Sequence, residues 1–422
     1  MFNKETLKRL KQAVRQAQIR QDLDTARNPD LQRAIKIVEE FLRKSKRVCY
    51  GGQAINVQLP FKDQFYNLET SLPDYDFFTP DDKSDIDSLI EHLKEAGFKE
   101  ISKKVGIHDG TTKIYVNYTA IADITKIDGD FYDQIEKRSI IIEGIHYADP
   151  IFLRMMMFLE LSRPKGMLTR WEKVFERLSL LEKAHPLKLC RGDKPVLESK
   201  EATLSRATIL RYIIKNSRSL MGANISSLYK SGSKSASSRT KFLLHGKAPL
   251  VFFSPDAQSD ADTLSIELGT TTKEVLGYQN ILPAMVELYS GENMVCIIVQ
   301  EEACHSFINI PLTKQRNLRV ASLDTLLAFL IGLYYRDDHI LMNSESILCW
   351  ISEYVLLLNR YRQNPTSLVP SFAIDCSGYQ TSFASLLRAK GVRIEAERQK
   401  VGSGFRTTMK RKRGLRKTRK RY

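Results

Sequence analysis

Residues 251–264, Val-Phe-Phe-Ser-Pro-Asp-Ala-Gln-Ser-Asp-Ala-Asp-Thr-Leu, align without gaps on residues 76–89, Asp-Phe-Phe-Thr-Pro-Asp-Asp-Lys-Ser-Asp-Ile-Asp-Ser-Leu. Eight of the fourteen positions are identical, at an offset of 175. A gapless match of that length implies a duplicated domain. Two further stretches agree with it. Val320-Ala321-Ser322 resembles the helix start at Tyr147-Ala148-Asp149, and Met221-Gly222-Ala223-Asn224 stands where the glycine pair Gly51-Gly52 would recur. A chain of 422 residues exceeds one typical core. The repeat divides it into an N-terminal helical segment (1–46), a first α/β (α+β) domain with a helical extension (47–200), a second copy (201–391) and a basic tail (392–422).

The first copy holds acids that the second lacks. In Leu72-Pro-Asp74-Tyr-Asp76-Phe-Phe78-Thr-Pro80, strand geometry sends Asp74 and Asp76 to one face and Tyr75 and Phe77 to the other. Adjacent carboxylates repel and resist desolvation, and a divalent cation such as Mg²⁺ between them removes both costs. Asp-x-Asp is also common at solvated strand edges, so the repeat has to decide. Asp74 corresponds to Pro249 and Asp76 to Val251. Asp123, in the apolar strand Ala120-Ile-Ala-Asp-Ile-Thr125, corresponds to a position near Cys296 or Ile297. An acid on an apolar strand needs a partner, and a metal shared with Asp74 and Asp76 would supply one. Residues kept in both copies, Phe77, Phe78, Pro80 and Asp87, read as scaffold.

Around the acids the local signals are clear. Asn28-Pro29-Asp30 is a helix start, with Leu31, Ala34, Ile35, Val38, Phe41 and Leu42 on the apolar face of a helix to about Lys44. Residues 1–27 read as an exposed amphipathic helix. Val48-Cys49-Tyr50 is a short strand before Gly51-Gly52, where backbone N–H groups can approach a phosphate. Residues 84–97 read as a capped helix, and residues 98–108 and 111–127 as a hairpin around Asp109-Gly110. A helix follows Asp149, its methionines serving as core filler. Next comes a helix with Arg170, Lys173 and Arg177 on one face. Residues 186–205 read as a linker.

Net charge is +16, and the stretch from Lys410 to Tyr422 carries nine Lys/Arg and no acid, leaving about +7 on the body. That balance favours a polyanionic partner, nucleic acid before membrane. The N-terminus lacks the apolar run of a signal peptide, and no stretch reaches the roughly eighteen apolar residues of a membrane helix. The six cysteines (49, 190, 296, 304, 349, 376) are scattered. We therefore expect neither a zinc site nor a disulfide framework, and a soluble protein in a reducing compartment.

Gly51-Gly52, then Asp74-x-Asp76, then a distant strand acid Asp123 resemble the signature of the polymerase-β-like nucleotidyltransferases. Tyr50-Gly-Gly-Gln-Ala-Ile-Asn56 with Pro73-Asp-Tyr-Asp-Phe-Phe78 is more narrowly similar to the poly(A) polymerase catalytic subunits of large nucleocytoplasmic DNA viruses. The resemblance covers residues 28–180 by motif and extends to about 385 through the acid-free second copy. It departs at residues 58–72, an insertion that puts twenty-one residues between Gly52 and Asp74.

The resemblance implies template-independent addition of AMP from ATP to the 3′ end of viral mRNA. It makes Asp74, Asp76 and Asp123 the catalytic residues and the ligands of two Mg²⁺ or Mn²⁺ ions. Gly51 and Gly52 would hold the triphosphate, and Arg154, Lys173 and Arg177 phosphate or primer. It further implies RNA and ATP as partners, a homodimer or a separate viral processivity subunit, and a setting in the host cytoplasm (viral factory) or the virion. The same triad would serve uridylyl or CCA addition or 2′–5′ oligoadenylate synthesis. The acid-free copy shows that the fold can also persist as a non-catalytic RNA-binding scaffold.

Overall fold

The computed structural model describes residues 3–66, 71–127, 129–188, 190, 196–222, 225–230, 243–278, 281–313, 315–336, 342–396 and 398–399. Helix α1 (Lys4–Ala26) starts at Asn3 and is exposed over most of its length. Helix α2 (Pro29–Ser45) starts where proline and a capping side chain dictate. Asn28 Oδ1 accepts from the N–H groups of Asp30 and Leu31 at 3.0 and 3.2 Å. Its buried positions are the six read from the sequence, and they pack on the first sheet. The segment 1–46 is thus not a unit apart, because α2 supplies part of the first core.

The first copy contains β1 (Val48–Tyr50), α3 (Gly51–Asn56), β2 (Tyr75–Thr79), α4 (Asp82–Glu95), β3 (Ile101–Val105), β4 (Thr111–Val116), β5 (Thr119–Lys126), α5 (Gly129–Lys137), β6 (Ile140–Ile142), β7 (Ile145–Tyr147), α6 (Pro150–Leu161) and α7 (Trp171–Ala184). Its strands form one sheet in the order β3-β4-β5-β2-β1-β7-β6. The second copy contains α8 (Lys200–Lys215), β8 (Ser219–Met221), α9 (Ser226–Lys230), β9 (Leu250–Ser254), α10 (Ala257–Leu268), β10 (Thr271–Val275), β11 (Met285–Ser290), β12 (Asn293–Gln300), β13 (His305–Pro311), β14 (Asn317–Ala321), α11 (Leu323–Tyr334), α12 (Ser344–Gln363) and β15 (Cys376–Ser377). Its sheet runs β10-β11-β12-β9-β8-β14-β13-β15, the same order with one added edge strand. The sense of each shared pairing also repeats. β1·β2 and β8·β9 are antiparallel, whereas β2·β5, β9·β12, β1·β7 and β8·β14 are parallel. The duplication is therefore one of topology as well as of sequence.

The repeated peptide works through a buried ion pair. Asp81 and Asp256 cap α4 and α10 by accepting from Ser84 N and Ser259 N. One turn on, Asp85 takes a two-pronged hydrogen bond from Arg47 (2.7 and 3.2 Å), and Asp260 takes one from Arg218 (2.7 and 2.9 Å). Each pair ties a helix to the start of the strand that ends in the glycine turn. Asp87, read as scaffold, is instead exposed beside Lys103; Asp85 is the scaffold acid. Its position two residues earlier, on the opposite face of the helix, faces the sheet, which the identity alone did not reveal.

The copies meet through equivalent helices, α6 against α11. Asp149 caps α6 with Oδ1, and its Oδ2 accepts from Tyr335, whose ring meets Phe152 edge-on at 5.2 Å. Phe131 stacks on Tyr278 at 4.7 Å across the same seam. Met155 and Met157 are core, as expected.

Several expectations need correction. The arm 111–127 is two strands, β4 and β5, turning at Asn117-Tyr118. Both turn residues have positive φ (47° and 65°), as a two-residue type I′ hairpin requires, although neither is glycine. The scattered cysteines do pair: Cys190 bonds Cys349 and Cys304 bonds Cys376, across 159 and 72 residues. Such separations leave no local signature. Residues 383–396 are helical, so the chain beyond 392 continues a helix whose Arg393 donates to the carbonyls of Gly106 and Ile107 in the β3–β4 loop. The basic run from 401 onward lies outside the described residues, as do Ala223 and Asn224. Among the described residues no helix is long and apolar enough to cross a membrane.

Because each removes one partner of a largely buried pair, Asp85→Ala and Asp260→Ala should each cost about 2–3 kcal/mol. Urea unfolding measures this, and a loss below about 0.5 kcal/mol would mean that the pair is not structural.

Candidate active site

The register of the first sheet lines up a single transverse row. Tyr50 pairs Asp76, Asp76 pairs Asp123, Asp123 pairs Lys113, and Lys113 pairs Lys104. Directly paired residues share a face and neighbouring strands lie about 4.8 Å apart. Asp76 and Asp123 are therefore immediate neighbours, although 47 positions separate them in sequence (123 − 76). Asp74 immediately precedes β2 and is exposed. Tyr75 and Phe77 point into the core, at 2% and 0% exposure.

The charges respond as crowded acids do. Burial, then the charges of Asp74 and Asp123, push the Asp76 carboxyl up to about 7, with Lys113 and Arg170 pulling back. Burial also raises Asp123. Within the chain its partner is Lys113, which donates to Oδ2 across the β4–β5 pair; the sequence reading did not find it. Asp123 Oδ1 is buried without a hydrogen-bond partner. Among the described residues the acids do not close into a three-ligand cation cluster, and Lys113 occupies one of the oxygens that would be needed. The donor set still fits a hard divalent cation. It consists of carboxylate oxygens, one of them orphaned in a buried place.

The glycine turn abuts these acids. Gly51 has φ +74°, and a Cβ there would run into Asp76 Oδ2. In the second copy Gly222 occupies the same place with φ +115°. A Cβ at Gly52 would lie 2.8 Å from the Tyr66 hydroxyl and 2.9 Å from Arg177 Nη1. The described start of the insertion, through Tyr66, thus folds back beside Gly52. Asn56 pins it, its Oδ1 accepting from the N–H groups of Phe65 and Tyr66, both at 2.8 Å. Arg177 lies over the Phe65 ring at 4.4 Å and donates to Tyr66 Oη at 2.8 Å. Asn56, Tyr66 and Lys113 are site residues that sequence reasoning missed. Each becomes visible only when the loop or the β4–β5 register is known.

Of the other basic candidates, Lys173 is lowered by burial and by Arg177 and Arg170, and it senses Asp74, so it borders the acids. Arg170 pairs with Glu160 at 2.8 Å within electrostatic range of Asp76. Arg154 is not brought to the site. It is 1% exposed, and its guanidinium donates to the carbonyls of Pro150 and His185, tying α6 to the end of α7. Tyr147 is buried, whereas Tyr118 is 82% exposed at a hairpin tip.

A mixed sheet of one strand order occurs twice, and in the first copy it carries paired acids on neighbouring central strands beside the glycine turn, an arrangement similar to that of the polymerase-β-like nucleotidyltransferases. Comparisons with known proteins agree with that likeness. Residues 36–167 match the family model described as poly(A) polymerase catalytic subunit. A protein of that name from Acanthamoeba polyphaga mimivirus is 32% identical over 157 residues, 36% of this chain and 26% of that protein. One from African swine fever virus (isolate Pig/Kenya/KEN-50/1950) is 27% identical over 164 residues, 37% of this chain and 34% of that protein. The matches thus span about a quarter to a third of these relatives' own length. The crystal structure of the Megavirus polyadenylate synthase superposes with a TM-score of 0.76, covering 94% of this chain and 82% of that one at 18% identity, which shows a shared fold. The resemblance to viral poly(A) polymerase catalytic subunits holds.

The raised Asp76 carboxyl has a consequence for pH. The folded chain binds that proton more tightly than the unfolded chain, whose carboxyl sits near 3.8. Metal-free stability is therefore full below the ordinary carboxylate range and is lost as pH rises through about 7. Asp76→Asn cannot ionise. In urea unfolding with a chelator it should gain on the parent chain at pH 8 relative to pH 5. A difference independent of pH would refute the crowded-acid account.

Proposed function

We propose that the chain is a template-independent polynucleotide adenylyltransferase that adds AMP from ATP to the 3′ end of viral mRNA. The Asp76–Asp123 register pair, with Asp74 at the exposed edge and Gly51 against Asp76, carries this reading. In the reaction the RNA 3′-hydroxyl oxygen bonds the α-phosphorus, the bond to the β-phosphate bridging oxygen breaks, and pyrophosphate leaves. Asp74, Asp76 and Asp123 would hold Mg²⁺ or Mn²⁺, which when bound neutralises phosphate charge and acidifies the attacking hydroxyl. The chain's own residues position the rest. The Gly51-Gly52 turn lets the triphosphate approach the backbone, and Arg177, held by Tyr66 and Phe65, places a fixed cation beside it. Lys173 adds a second charge near Asp74. Such positioning and charge stabilisation are what phosphoryl transfer demands of a protein.

The second copy has Val251 and Ile297 where the first has Asp76 and Asp123, and acts in this reading as RNA track and assembly surface, for a homodimer or for a separate processivity subunit. The proposed setting is the viral factory or the virion, and two disulfides suit an oxidising surrounding such as the virion better than a reducing cytoplasm.

Incubated with an RNA primer and each nucleotide separately, the chain should extend with ATP and not with UTP or CTP, and only with a divalent cation. Asp74→Ala and Asp76→Ala should lose extension by at least about a thousandfold while keeping the fold; near-normal incorporation by both variants would reject the site. Light scattering at micromolar concentration addresses assembly, where a monomer counts against the homodimer.

A further inference from the structure

We propose that Lys113 is a built-in counter-ion of the metal site, which holds Asp123 when no cation is bound and yields its place when one arrives. The inference rests on the metal-binding reading of the acids given above. Three observations carry it. Lys113 Nζ donates to Asp123 Oδ2 from the directly opposing position on β4, while Oδ1 of the same carboxyl is buried without a partner. One oxygen is thus neutralised by an ammonium and the other is left open. Asp76, next in the row, also feels the Lys113 charge.

The second copy supplies an internal control. Its row reads Met221, Val251, Ile297, Glu287, Lys273 where the first reads Tyr50, Asp76, Asp123, Lys113, Lys104. Where Asp123 became Ile297, Lys113 became Glu287, which is fully buried, accepts from the Tyr289 hydroxyl and pairs with Lys273 at 3.7 Å, one strand farther from the former acid positions. At the Lys113 position the ammonium is absent where Val251 and Ile297 stand in place of Asp76 and Asp123, although the strands, their order and their pairing are kept. Lys113 therefore belongs to the chemistry and not to the fold.

The exchange moves no proton. The Nζ–H···Oδ2 hydrogen bond breaks, Oδ2 turns to the arriving cation, and the lysine stays an ammonium on a flexible stem whose side chain is 31% exposed. The resident charge has two effects. It spares the metal-free fold an unpaired buried carboxylate, and it lowers cation affinity by competing for the same oxygen.

The test is Mn²⁺ binding to the full chain without nucleotide or RNA, followed by electron paramagnetic resonance and by the Mn²⁺-dependent shift in melting temperature. Lys113→Met should bind Mn²⁺ about tenfold more tightly. It should melt lower than the parent chain in chelator and recover more on Mn²⁺ addition. Lys113→Gln, which keeps a neutral donor should the methionine variant not fold, should move the same way, and Lys113→Arg should bind as the parent does. If Asp76→Asn loses Mn²⁺ while Lys113→Met and Lys113→Gln bind no more tightly than the parent, the counter-ion role is overturned and the metal site stands. If the parent chain binds no Mn²⁺, the metal-site reading falls and this inference with it.

Discussion

Like charge on neighbouring strands is the constraint that organises this molecule. Asp76 and Asp123 face each other across one parallel strand pair, with Asp74 two positions behind. A carboxylate in such company is costly to ionise. A fold that keeps three acids there needs positive charge within reach, and the surroundings supply it from several elements. Lys113 comes from β4, Arg170 precedes α7, and Lys173 and Arg177 lie along it. The glycine turn belongs to the same economy of space, since no side chain could stand at Gly51 without displacing Asp76.

The second copy shows what the fold requires when that constraint is lifted. Strand order, pairing sense, helix caps and the bidentate Arg–Asp staple survive, while the row across the sheet turns apolar at both acid positions. Packing and capping are thus separable from chemistry within one chain. The copies are joined through matching helices, so α6 is fixed both by its own sheet and by α11. Arg154, buried on α6, binds that helix to the end of α7 and hence to the element bearing Lys173 and Arg177. It acts on the site only by holding what holds the basic residues.

Long-range closures complete the frame. The Phe65–Tyr66 loop is anchored to Asn56, the last residue of α3, and sets the Tyr66 hydroxyl beside Gly52. The Cys190–Cys349 bridge ties the segment after α7 to α12. Arg393, in the last described helix, reaches Ile107 in the loop before β4, six residues (113 − 107) from the strand position paired with Asp123.

Local chemistry wrote much of this into the sequence. The cap at Asn28, the apolar stripe of α2, the turn at Gly51 and the alternation around Asp76 act within a few residues, and each was legible. The repeat added contrast, separating acids from scaffold without any structure. What depends on register or on distant partners was not legible. Lys113 can be matched to Asp123 only when β4 is known to turn at Asn117-Tyr118 and pair with β5. The same holds for the cysteine bridges, for Tyr66 over Gly52 and for the burial of Arg154. The sequence by itself determined most of the elements, the duplication and which acids the two copies do not share, because those follow from spacing along the chain. Which cations meet those acids was decided only in three dimensions, because electrostatic energy depends on distance through space and the chain does not encode that distance locally.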